Sequence, residues 1–253
     1  MTAPLSRTDL EELVAAAGPI DETAMAALVD ALAVPEKATQ RLAADLLQRV
    51  TPAARAATID RLRIAMGSGD STWRWGAAYA LGRLGLAEPA MIAPLLEALG
   101  DRDGDRRWAA AQLLGVCARA HGDLVIAALL TAVDDQEPAR RKMVLYTLRD
   151  VAPTNGDVCR AALRGLADTS VGVRFAALAA LIRLEPIPAE ACALVLTLAR
   201  DDPDDGLRRA ALCALGDVGR GVSAAESVIA AAEASDEPLL RRAGSIARRR
   251  LGG

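Results

Sequence analysis

Apolar and polar positions along this chain recur with a short period nested inside a long one. The short period is helical. Ala77, Ala80, Leu81 and Leu84, or Ala177, Ala180, Leu181 and Leu184, return every three or four residues. At about 100° per residue each set falls on one stripe of an α-helix. The long period is a repeat, seen in WRWGAAYALGRLG from Trp73, RRWAAAQLLGVCA from Arg106 and LRRAALCALGDVG from Leu207. With arginine as the anchor, the copies align Arg74, Arg107, Arg141, Arg174, Arg208 and Arg241 at spacings of 33, 34, 33, 34 and 33 residues. An earlier copy fits with Gln40 at the anchor, 34 residues before Arg74. Seven copies therefore run from about residue 20 to the end, after a capping helix predicted over residues 6–17.

Each copy predicts two helices. The anchor helix carries small or apolar residues at +3, +6, +7 and +10 from the anchor, and an amphipathic helix precedes it, as over residues 89–100 and 123–133. Neither helix hides its stripe alone, so the pairs must stack to bury a continuous core. An aspartate recurs six residues before the anchor (Asp101, Asp135, Asp168, Asp202) and is expected to N-cap the anchor helix. In the last copy Arg248 stands where others have leucine, and Arg249 and Arg250 follow. That predicts a polar end cap, with cations suited to a helix C-terminus.

The recurring Asp-x-x-x-x-x-Arg-x-x-Ala-x-x-Ala-Leu-Gly pattern resembles the HEAT repeat family, in the short variety found in phycobilin lyase-like proteins, over nearly the whole chain. The resemblance implies an all-α fold: a right-handed α-α superhelix, or HEAT-like α-solenoid, of about seven helix pairs with an N-terminal capping helix. Residues 1–253 would form a single repeat domain, with 1–20 as its cap. The resemblance further implies an Asp–Arg ladder between neighbouring repeats and places the anchor helices on the concave side. Departures are Gln40 for arginine, Arg149 where the preceding copy has Gly115, and Ser235 for aspartate.

Composition agrees with helices. The chain is 52% hydrophobic, and its 56 alanines and 36 leucines favour a packed helical fold over disorder or a β-sandwich. No apolar run reaches about 18 residues, so no membrane-spanning helix is expected. The opening residues lack the pattern of a signal peptide, and a cytoplasmic protein is expected. A net charge of -3 argues against nucleic acid or an anionic membrane as partner. Four scattered cysteines without a CxxC read as apolar fillers in a reducing compartment, and a single histidine, His121, argues against a Cys/His zinc site.

The aromatic residues carry the functional expectation. Opposite the buried stripe lie positions +1, +5 and +8, and these hold Trp75, Tyr79, Trp108, Tyr146 and Phe175, five of the six aromatics; only Trp73 points toward the core. The same columns hold Arg41, Lys142, Arg149, Arg209, Arg242 and Arg249, with Gln112 one turn after Trp108 and Asp45 as the only carboxylate. The acidic turns, such as residues 101–105, are expected on another edge. Two readings fit these columns. Either they line a groove for a partner, since Trp, Tyr and Arg dominate interaction hot spots, or neighbouring helices pack the rings together as structure. The candidate binding set is Trp75, Tyr79, Trp108, Gln112, Lys142, Tyr146, Arg149, Phe175, Arg209 and Arg242.

No catalytic triad, phosphate loop or metal cluster is legible, so no catalytic residue, metal site or cofactor is assigned. The expectation is a non-catalytic binding scaffold for a protein or peptide ligand, acidic chains included. Two alternatives follow from the resemblance. One is a phycobilin lyase-like protein holding a tetrapyrrole. The other is a HEAT-like alkylpurine DNA glycosylase type, which would want an acid where Gln112 stands. A single histidine excludes HEAT-fold di-iron chemistry.

Overall fold

A computed structural model describes residues 5–184 and 187–252. Among them are α1 (Arg7–Ala16), α2 (Glu22–Ala31), α3 (Lys37–Leu46), α4 (Pro52–Met66), α5 (Ser71–Arg83), α6 (Ile92–Ala98), α7 (Gly104–Thr131), α8 (Pro138–Val151), α9 (Gly156–Gly165), α10 (Val171–Leu181), α11 (Ala191–Asp201), α12 (Asp205–Val218), α13 (Ser223–Glu233) and α14 (Pro238–Gly252). β structure among the described residues is one isolated bridge between Ile20 and Val50. The fold is all-α, with helices packed in pairs, as the repeat predicts.

The predicted capping helix is α1. Ser6 accepts the Asp9 N–H, and the Asp9 carboxylate accepts the Ser6 N–H at 2.8 Å, a reciprocal cap that satisfies two donors. The anchor helices begin differently from the expectation. Their N-caps stand four residues before the anchor, at Asp70, Ser170 and Asp204 for example. The aspartate at -6 instead accepts an N–H two residues on: Asp168 from Ser170 at 2.8 Å, Asp202 from Asp204 at 2.9 Å. It folds the turn ahead of the cap.

The apolar stripes make the core. Ala77, Ala80 and Leu81, and their counterparts Ala177, Ala180 and Leu181, are fully buried, and Cys117 fills the +10 position of its copy. The chain divides into two compact units, Met1–Val125 and Ile126–Gly253. In the first, α3 packs against α1, α2 and α5, and α4 against α5. In the second, α8, α10, α12 and α14 lie side by side in that order, with α9, α11 and α13 on them.

Close approach of successive anchor helices crowds the glycine of the repeat in two copies. A Cβ on Gly82 (+8) would stand 2.3 Å from Leu113 Cδ2, and one on Gly216 (+8) would stand 2.5 Å from the Ala247 carbonyl oxygen.

Helix α7 departs from the sequence expectation. With the following 3-10 turn, Gly104–Asp134 is helical and contains an 18-residue stretch apolar enough, by length and composition alone, to cross a membrane. His121, at φ -139° and ψ 46°, breaks it where two repeat helices meet, and His121 Nε2 lies 3.0 Å from the Ala87 carbonyl. Each leg is shorter than the roughly 20 residues a spanning helix needs.

Candidate binding face

The repeat places the +1 residue of one anchor helix beside the start of the next, and this decides how each aromatic is used. Trp75, on α5, is only 7% exposed. Tyr79 stacks on it with ring centroids 5.6 Å apart, and the Arg106 guanidinium lies 5.7 Å from its ring. Arg106 is held in turn by Asp101 at 2.9 Å and by the buried Gln40 Oε1 at 3.2 Å. Trp75 was expected to face away from the core; the structure instead walls it in. The wheel of a single helix cannot register that the next copy supplies Arg106 to cover it. In the second unit Phe175 is treated similarly, its Cζ lying 3.6 Å from where a Gly206 Cβ would stand, in the first turn of α12. Trp73 fulfils its expectation differently, half-buried with its indole N–H donating to the Val29 carbonyl at 2.9 Å.

Beyond Trp75 the first unit opens into a groove of about 600 Å³, lined by Arg41 of α3, Tyr79 and Arg83 of α5, and Trp108 and Gln112 of α7. Trp108 is 48% exposed, and Gln112 is exposed one turn further on. Asp45 pairs with Arg83 at 2.7 Å. Asp105 also lines the groove and pairs with Lys37, with Arg41 at 3.9 Å. Asp105 of the acidic stretch therefore lies at the groove and not on another edge. Lys37 and Asp105 lie outside the +1, +5 and +8 columns and meet here only through tertiary packing, whereas Arg83 follows Tyr79 by one turn of α5.

In the second unit the same columns carry Lys142, Tyr146 and Arg149 on α8, Phe175 on α10, Arg209 on α12 and Arg242 on α14. Arg149 lies over the Tyr146 ring at 5.1 Å and bonds Asp150 at 2.8 Å. Arg209 is 3.8 Å from Glu237, while Arg242 is exposed. The structure thus sorts the candidate set by unit: Tyr79, Trp108 and Gln112 share one groove in the first, and the cations gather in the second.

The anchor arginines have a separate, structural role. Each of Arg74, Arg107, Arg141, Arg174, Arg208 and Arg241 donates to the carbonyl six residues before it, at 2.6–2.9 Å. Arg141 also grips Asp168 at 2.8 Å, and Arg174 grips Asp202 at 2.7 Å, so the ladder is present at these two steps. Arg74 uses Glu97 instead, and Arg208 pairs with Asp205 of its own turn. Burial alone would raise the Asp202 carboxyl, but hydrogen bonds from Arg174 and the Asp204 N–H outweigh it and hold the group below the usual carboxylate range. Asp168 is lowered against its burial in the same way, by Arg141 and the Ser170 N–H. Gln40, the departure from arginine, donates to the Leu32 carbonyl at the C-terminal end of α2 at 2.7 Å, and so ties its helix to the preceding one without a charge.

Burial pushes all four cysteine thiols up, away from the thiolate, as suits fillers.

Comparison with known proteins agrees with this architecture. Residues 25–115 match the family model described as HEAT repeats. No curated protein matches the chain. The X-ray structure of YibA from Escherichia coli is similar at TM-score 0.62 and 14% identity, covering 97% of this chain and 93% of that one. An engineered protein is similar at TM-score 0.50 and 19% identity, covering 100% of this chain and 76% of that one. A designed armadillo repeat protein in complex with the peptide (KR)4 gives TM-score 0.48 and 14% identity, covering 88% of this chain and 98% of that one. HEAT repeats are thus recognised over residues 25–115, and the fold is that of a HEAT/armadillo-like α-solenoid.

Proposed function

We propose that this protein is a non-catalytic binding scaffold that takes up a protein or peptide segment in a concave, aromatic and Arg-lined groove, along the face of its anchor helices opposite the buried stripe. The observation that carries the reading is the groove of the first unit, where a half-exposed Trp108 stands beside Tyr79 and Gln112 between two arginines. Aromatic and arginine side chains in a desolvated cleft contribute most of the binding energy at protein interfaces, and glutamine supplies an adaptable donor and acceptor for a peptide backbone. Folding alone gains little from leaving an indole half in water.

The test compares proteins retained from native lysate by wild type and by Trp108→Ala. Truncating a central anchor typically costs about 2–4 kcal/mol of affinity, so partners of this groove should be lost from Trp108→Ala while its melting temperature holds. Trp75→Ala is the structural control and should lower stability by about 3 kcal/mol, since it empties a buried site. Equal retention by wild type and Trp108→Ala would remove the groove from consideration. A visible absorbance band in the purified protein would favour the tetrapyrrole alternative.

A further inference from the structure

We infer that the second unit carries an acid-selective stripe that takes an extended, acidic protein segment. This deepens the scaffold reading and rests on it. Across α8, α10, α12 and α14 the +1, +5 and +8 columns hold five cations, Lys142, Arg149, Arg209, Arg242 and Arg249, and no carboxylate. The unit as a whole is not basic: residues 126–253 hold 17 Lys and Arg and 17 Asp and Glu, a difference of zero. Cations have been gathered onto one face and the acids sent elsewhere.

The carboxylates that do reach the stripe come from its margins. Asp150 bonds Arg149 and Glu237 approaches Arg209, both with side chains 54% exposed, so an incoming carboxylate can replace either at small cost. Between the cations lies half-buried apolar surface from Phe175 and Ile182, with Tyr146 beneath Arg149. Guanidinium forks match carboxylates in two parallel hydrogen bonds, and the apolar floor suits side chains between the acids. A protein segment with acids at intervals and apolar residues between them uses both features.

Spacing sets the register. Neighbouring packed helices lie about 8–10 Å apart, and three extended residues span about 10 Å. An acidic residue at every third position of an extended segment would therefore meet successive anchor helices, and about ten residues would cross all four.

The probe is a fluorescein-labelled twelve-residue peptide of four Glu-Leu-Ser units, titrated by anisotropy against the full chain. Saturable binding is expected, weakening at least about tenfold between low and high salt. Lys142→Glu with Arg242→Glu should weaken it about tenfold or more at an unchanged melting temperature, and Trp108→Ala should leave it unaltered. A peptide with lysine in place of glutamate should not bind. The inference is overturned if the acidic peptide fails to bind up to millimolar concentration, if the lysine peptide binds equally, or if the charge reversals have no effect. It is overturned too if a single-stranded oligonucleotide binds the stripe more tightly than the acidic peptide. Loss on Trp108→Ala alone would sink the stripe while leaving the groove of the first unit standing.

Discussion

Arg174 and Arg208 occupy the same repeat position yet differ in what they hold. Arg174 is 11% exposed and grips an Asp202 carboxylate that is 3% exposed, whereas Arg208 pairs with a largely exposed Asp205. Removing one partner of a buried pair strands the other, so Arg174→Ala should cost about 3 kcal/mol and Arg208→Ala about 1 kcal/mol in urea denaturation. The same pairs set an acid limit. Asp168 and Asp202 are held below the usual range in the folded state, so between their folded values and the unfolded value near ~3.9 the unfolded chain binds more protons. Their contribution is present above that unfolded value and is lost as pH falls through the folded ones. Stability measured from pH 5 to pH 2 should fall steeply in wild type and less steeply in Arg174→Met with Asp202→Asn.

At the scale of the helix, the +8 column shows how one repeat position takes opposite roles. Gly216 lets α12 approach α14, where a Cβ would meet backbone at 2.5 Å; Gly115 on α7 has nothing within 4 Å of its Cβ site. Backbone cannot rotate aside as a side chain can. Gly216→Val should therefore destabilise by about 2–3 kcal/mol, and Gly115→Ala should stabilise by about 0.5–1 kcal/mol through helix propensity alone. Thermal melts of the two variants moving in the same direction would refute this account of the column.

For the whole molecule, repeat arrays gain stability from each pair and from the interface between neighbours, so a domain is defined by cooperativity and not by length. We propose that residues 1–253 unfold as one repeat domain, giving a single calorimetric transition that Arg174→Ala shifts entire. Two resolved transitions, with only one moved by Arg174→Ala, would assign Met1–Val125 and Ile126–Gly253 to separate domains.

The sequence by itself determined the helices, their pairing and the buried stripe, because these follow from periodicity within one helix and repetition between copies. Ala77, Leu81, Ala177 and Leu181 are legible as core without knowing any neighbour. The anchor arginines were legible as a column, and the ladder that the resemblance implies is met at Arg141 and Arg174 but not at Arg74, which reaches Glu97. What only the tertiary structure decided lies between copies. Trp75 and Trp108 share a position on the wheel, yet Arg106 covers Trp75 while Trp108 stays half-exposed at a groove. Asp105 comes to that groove and pairs there with Lys37 of an earlier repeat, a partner far away in sequence. A helical wheel gives each residue a direction about its own axis, but exposure depends on which atoms the next helix brings, and those are set by packing across tens of residues of sequence.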